Sequence, residues 1–158
     1  MPLRKIVSGG QTGVDRAALD AARVSGLPVG GWCPRGRRAE DGPIDPAYPL
    51  EETPESGYVQ RTAWNVRDSD ATLILNWGEL EGGTALTVRF LEETGKPYLL
   101  VALDEGPDPG EIRHWIRDQG IAVLNVAGPR GRKVPGVYER ARELLEEVLA
   151  GGGEGETE

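Results

Sequence analysis

Five short apolar runs, Lys5 to Ser8, Val29 to Cys33, Ala71 to Asn76, Tyr98 to Leu103 and Ala122 to Val126, recur along the chain with room for a helix between each pair of neighbours. Parallel strands cannot be joined by a tight turn and need a crossover of about a dozen residues, so this alternation restricts the chain to a parallel sheet covered on both faces. The intervening helices are predicted at about Thr12 to Val24, Tyr58 to Asp68, Thr84 to Thr94, Pro109 to Gln119 and Pro135 to Leu149. Gly26, Gly95 and Gly120 serve as stops, with Pro28 and Pro97 just beyond two of them. The expected fold is a three-layer α/β/α Rossmann-like domain over residues 1–150, with a parallel sheet of five strands in the order 2-1-3-4-5. Residues 151–158, a glycine run followed by acidic residues, read as a disordered tail.

In such a sheet every loop that follows a strand opens on one edge, where ligands bind. The loop after the first strand, Ser8-Gly9-Gly10-Gln11-Thr12-Gly13-Val14-Asp15-Arg16, can cradle an anion, because glycines let backbone N–H groups at a helix start approach a phosphate. It is neither G-x-G-x-x-G nor a P-loop. The same residues permit another reading, in which Thr12 is an N-cap and Asp15 closes a capping box without any ligand. A second glycine turn, Gly82-Gly83-Thr84-Ala85, starts a helix after the third strand. With the order 2-1-3-4-5 the two turns flank the switch point.

Composition bears on what such an edge could bind. The chain has 158 residues and a formal net charge of -8, which argues against bulk nucleic-acid binding. Two local basic groups stand out against that acidity: Arg35, Arg37 and Arg38 after the second strand, and Arg130, Arg132 and Lys133 after the fifth. Both fall on the ligand edge and suggest a selective site for a small anion. Cys33 is the single cysteine, which excludes a disulfide or cysteine-built zinc site within one chain and fits a reducing cytoplasm. No apolar run approaches membrane-spanning length and no signal core follows Met1, so a cytoplasmic protein without membrane or nucleic-acid partners is expected.

The connection from Pro34 to Ser56 reads as a long unstructured loop whose arginines suit phosphate or carboxylate, with Glu40 and Asp41 as counter-charges. The helix from Tyr58 places Tyr58, Arg61 and Thr62 at the crevice, Asp68 and Asp70 at the opposite edge, and Asn65 one turn below Arg61, where it could orient the guanidinium. Trp64 reads as core. Trp32 and Trp77 could stack on a planar ligand or pack under loops; Cys33 reads as a small buried hydrophobe and His114 as surface. Asp15, Glu79, Glu81 and Asp104 reach the edge without the pairing of a general acid and base, so no catalytic set is assigned. The ligand-binding candidates are Gly9, Gly10, Gln11, Thr12, Gly13, Arg16, Arg35, Arg37, Arg38, Arg61, Thr62, Gly82, Gly83 and Thr84, with no metal ligand among them.

These motifs in series, with Gly31-Trp32-Cys33-Pro34, Gly36-Arg37-Arg38-Ala39-Glu40-Asp41-Gly42, Tyr58, Arg61-Thr62, Asn65, Asp68-Ser69-Asp70 and Gly82-Gly83-Thr84, resemble the putative molybdenum carrier family over nearly the whole chain before the tail. That family is similar in fold to the Rossmann-like group of lysine decarboxylase-like proteins, lonely-guy type phosphoribohydrolases and DNA-processing proteins. The resemblance implies a carrier of the molybdenum cofactor, a pterin dithiolene with a terminal phosphate. It also implies a homo-oligomer, a tetramer, and partners among molybdoenzymes or cofactor-biosynthesis proteins. Two rival classes are a phosphoribohydrolase-like nucleotide-processing enzyme and a nucleotide-sensing protein. The hydrolases carry a glutamate shortly after a Gly-Gly-x-Gly-Thr turn, whereas here Ala85-Leu86-Thr87-Val88 follows.

Overall fold

A computed structural model describes residues 3–157, and the side chains of residues 3–150. The elements are β1 (Lys5–Val7), α1 (Val14–Val24), β2 (Val29–Gly30), β3 (Trp32–Cys33), β4 (Glu51–Glu52), α2 (Tyr58–Arg67), β5 (Ala71–Asn76), α3 (Gly82–Thr94), β6 (Tyr98–Ala102), a 3-10 turn (Leu103–Glu105), α4 (Pro109–Asp118), β7 (Val123–Ala127) and α5 (Val137–Thr157). The expected disordered tail at 151–158 falls on residues whose side chains lie outside those described.

Five strands form one parallel sheet, and helices cover both faces, as the alternation of apolar runs predicted. The order is β2-β1-β7-β5-β6. In terms of the five runs this is 2-1-5-3-4, so the expected neighbours 2-1 and 3-4 hold while the fifth strand lies between the first and third, not at the edge. Burial explains the placement. β5 is buried at every residue and β7 at Leu124, Asn125 and Val126, whereas β6 leaves Leu100 46% exposed and suits an edge. Gly128, directly after β7, marks the central position: a β-carbon there would lie 2.6 Å from Val14 Cγ2 and against the Leu75 carbonyl.

Right-handed crossovers then fix the layers. The moves β1 to β2 and β6 to β7 run one way along the sheet and place α1 and α4 on one face; β2 to β5 and β5 to β6 run the other way and place α2 and α3 opposite. The packing agrees, with α5 lying against α1 and α4, and α2 against α3. The larger core sits under α1, α4 and α5, where Ala17, Ala18, Ala21 and Ala22 present a small-residue face that lets α1 approach closely, and Ile112, Ile116, Leu144 and Leu145 fill the remainder. The smaller core under α2 and α3 centres on Val66, Ile74 and Leu91. Each large aliphatic side chain so buried contributes about 1.5–3 kcal/mol.

The second apolar run breaks at Gly31, whose φ of 128° and close approach to Ser8, with a β-carbon 2.9 Å from the Ser8 nitrogen, exclude other residues. Beyond it the chain leaves the main sheet and pairs β3 with β4 in parallel, Trp32 opposite Glu51 and Cys33 opposite Glu52. The Pro34 to Ser56 connection is therefore an ordered flap rather than an unstructured loop. Ile44 and Leu50 bury against Leu19 and Cys33, and the Arg37 guanidinium donates to the carbonyls of Ile44 (3.0 Å), Asp45 (2.8 Å), Tyr48 (2.8 Å) and Leu50 (3.2 Å). Sequence patterning missed it because a few scattered apolar residues show no period.

Candidate anion-binding cleft

The chain leaves β7 toward the α5 face and β5 toward the α3 face, so the sheet edge opens between these two neighbouring strands. A cleft of about 270 Å³ lies there. Gln11 and Asp15 line it from the first turn, Tyr58, Arg61 and Thr62 from the start of α2, Glu81 to Thr84 from the start of α3, and Ala127 to Arg130 with Lys133 from the loop after β7.

Its floor is a buried ion pair. Arg61 Nη1 lies 3.4 Å from Asp15 Oδ2, which also accepts from the Gln11 backbone N–H at 3.3 Å. Burial pushes the Asp15 carboxyl above its ordinary value, and the attraction of Arg61 only partly opposes this. Burial likewise pulls Arg61 below the usual arginine range, with Asp15 opposing. Gln11 is 1% exposed; its Nε2 donates to the Arg38 carbonyl at 2.8 Å, while its Oε1, like Arg61 Nε, is buried with no hydrogen-bond partner.

The mouth is cationic. Three guanidinium groups surround the Tyr58 ring, Arg130 at 4.1 Å, Arg38 at 5.5 Å and Arg61 at 5.7 Å from its centroid. Among the described residues no carboxylate pairs with Arg130. Lys133 reaches Glu81 at 2.9 Å, but both side chains are about half exposed, so solvent weakens that pair. Glu81 precedes α3 without a side-chain cap, and the first hydrogen bond into the helix, Ala85 N–H to the Glu81 carbonyl, is 3.3 Å. The N–H groups of Gly82, Gly83 and Thr84 thus start a helix at the cleft wall.

The opening glycine turn is arranged differently. Gly13 is the residue preceding α1, with φ of 82°, and a β-carbon there would lie 2.8 Å from the Gly131 nitrogen and against the Pro129 carbonyl. Gly10 faces Ile44 and Leu50 of the flap, and Gly9 seats the Arg61 guanidinium. The capping box does not form: the Thr12 hydroxyl bonds Glu40 and accepts from the Gly131 N–H at 3.1 Å, and Asp15 turns to Arg61. Arg16 donates to the Gly10 carbonyl at 3.0 Å and pairs with Asp41, which ties the flap to α1. Arg35 is exposed away from the cleft lining, and Arg38 holds the Ser56 carbonyl at 2.7 Å at its rim.

Of the residues proposed from sequence, Gln11, Arg61, Thr62, Gly82, Gly83 and Thr84 meet in the cleft. Arg130 and Lys133, named there only as a basic group, join them because β7 is central. Asn65 does not orient Arg61. Its side chain bonds the Trp32 backbone in both directions, at 2.8 and 2.9 Å, as a strand partner would. Trp32 packs edge-on to Trp64 and donates to Asp68 at 2.8 Å. His114 is exposed and pairs with Asp118 at 3.0 Å, and Cys33 is buried, its thiol pushed up by desolvation. Among the described residues no cluster of histidine, cysteine or carboxylates could hold a metal, and no helix is long and apolar enough to cross a membrane.

Fold and cleft together define a Rossmann-like α/β protein with a strand-end crevice lined by arginine, lysine and a helix start. Within that class the chain belongs to the Circularly permutated YpsA SLOG family, whose model matches residues 6–149. It is also similar to a solved structure described as a putative molybdenum carrier protein from Syntrophus aciditrophicus SB, with 47% identity over 94% of this chain and 96% of that one and a TM-score of 0.88. No curated protein matches at comparable stringency.

Proposed function

We propose that the cleft carries a small phosphorylated ligand as cargo, and that the cargo is the molybdenum cofactor. One observation carries the anion: guanidinium groups converge on Tyr58, and Arg130 among them has no carboxylate partner among the described residues, beside the uncapped start of α3. Clustered cations repel one another unless an anion fills the space, and helix N–H groups favour phosphate oxygens. The phosphate is assigned to the mouth, between Gly82, Gly83, Thr84, Arg130 and Lys133. The Gly9 to Gly13 turn supports this wall from behind. The donor set suits oxyanions and offers no thiolate, so molybdenum would keep its own dithiolene ligands. The name of the similar solved structure supports the choice of cargo. We further propose a cytoplasmic homo-oligomer, a tetramer, that passes cargo to molybdoenzymes or receives it from cofactor-biosynthesis proteins.

Protein purified from molybdenum-replete cells is expected to contain molybdenum and to release the fluorescent oxidised pterin. Consistent absence of both, together with nucleotide affinity, would overturn the carrier. A nucleotide-processing reading draws on Asp15, a buried carboxyl raised above its ordinary range beside Arg61 in the same cleft. Release of free base from nucleoside monophosphates tests it.

A further inference from the structure

Arg130 is delivered to the mouth by the loop after β7. Among the described residues no carboxylate pairs with its guanidinium, so its place 4.1 Å from the Tyr58 ring centroid depends on how firmly the loop backbone is held. That backbone is pinned on both sides of Arg130. Before it, the Pro129 carbonyl accepts from the Val14 N–H at 3.2 Å. After it, the Gly131 N–H donates to the Thr12 hydroxyl oxygen at 3.1 Å and the Arg132 N–H donates to Glu40 Oε2 at 3.1 Å. The Thr12 hydroxyl in turn donates to the same Glu40 oxygen. One flap carboxylate therefore receives the opening turn and the loop after β7 together, and both bonds that follow Arg130 end on it, directly or through Thr12.

The flap segment that carries Glu40 is itself anchored to the opening turn and α1. The Arg38 carbonyl accepts from Gln11 Nε2 at 2.8 Å, and Asp41 pairs with Arg16. Among the described residues Glu40 forms no ion pair, so it is not spent as a counter-charge to the flap arginines. Charge alone would disfavour a carboxylate near a phosphate site, because it repels the ligand. What a carboxylate supplies here is a strong acceptor for an N–H and an O–H from two separate segments. We infer that Glu40 is a positioning residue for anion binding: it clasps the loop after β7 to the opening turn and so holds Arg130 at the mouth before the ligand arrives. A loop already ordered loses less freedom on binding. This rests on the mouth being the phosphate site.

The test titrates inorganic phosphate into the full chain by calorimetry. Glu40→Ala and Glu40→Gln both remove the negative charge, but only the glutamine keeps an oxygen that can accept from Thr12 and Arg132. Glu40→Ala is expected to weaken phosphate binding about fivefold through the loosened loop, whereas Glu40→Gln should bind at least as tightly as the wild type. A carboxylate that acted only by its charge would make both variants bind more tightly, and that result overturns the inference. The same substitutions are then made in Arg130→Met protein, where alanine and glutamine at position 40 should bind alike; a persisting fivefold gap would show that Glu40 does not act through Arg130. Amide hydrogen exchange supplies a readout that needs no ligand. In the wild type the Gly131 and Arg132 N–H groups should be protected, and Glu40→Ala should speed their exchange about tenfold. Free exchange of both amides in the wild type overturns the clasp even if Glu40→Ala does not fold. If Arg130→Met weakens phosphate binding and Glu40→Ala does not, the phosphate mouth stands and the role of Glu40 falls. If the wild type binds no phosphate, both fall.

Discussion

Two glycine-rich turns carry a strand into a helix in this protein, and they use their glycines for opposite purposes. At Gly9 to Gly13 the missing side chains make room for other parts of the protein: Arg61, the flap residues Ile44 and Leu50, and the backbone at Pro129 to Gly131. At Gly82 and Gly83 they leave open space, since a β-carbon at Gly83 meets nothing within 4 Å and one at Gly82 only the tip of Lys133 at 3.8 Å. One turn is closed by packing; the other is left open. A glycine motif thus reports that the backbone must be bare without saying what approaches it.

The sharpest way to break this contrast is Gly13→Ala. The positive φ and the contact with Pro129 and Gly131 should together cost about 3 kcal/mol, read as a lower urea midpoint, and an unchanged midpoint would contradict the packed turn. Next in size, Arg130→Met should weaken phosphate binding about tenfold with little change in stability, because its guanidinium is set at the mouth rather than in an ion pair. Calorimetry with inorganic phosphate decides this.

Asp15 provides a pH test of the floor. A carboxyl whose folded value is raised by burial contributes stability that is full below its unfolded value and is lost as pH rises through the folded value. Wild-type stability should therefore decline as pH rises out of the ordinary carboxylate range. Phosphate affinity should fall about threefold over the same window as the negative charge appears beneath the mouth. Asp15→Asn should flatten both profiles, and a variant that keeps either slope would assign it to another group. Smallest of all, Gly83→Ala should leave the fold unchanged or stabilise it by about 0.5–1 kcal/mol, since alanine suits a helix better than glycine. A large destabilisation there would mean that the second turn is packed like the first.

The contrast also marks what patterning could reach. Helix stops at Gly95 and Gly120, the strand Ala71–Asn76 and the placement of Tyr58, Arg61 and Thr62 at the strand-end edge were legible because apolar period and chain direction are local properties. The site was half legible for the same reason: loops that follow strands must meet, but which of them become neighbours depends on strand order. Arg130 entered the cleft only because β7 lies between β1 and β5, and Asn65 bonds Trp32 rather than Arg61 because the chain leaves the sheet at Gly31.

By itself, then, the sequence determined the parallel α/β architecture, the bare backbone at two helix starts and the excess of arginine on the strand-end edge, all of which follow from interactions within a few residues. The tertiary structure decided which turn is filled and which is open, and that Asp15 serves Arg61 rather than a helix cap. Those outcomes depend on contacts between segments far apart in the chain, such as Thr12 with Gly131 and Asp15 with Arg61, which local patterning cannot encode.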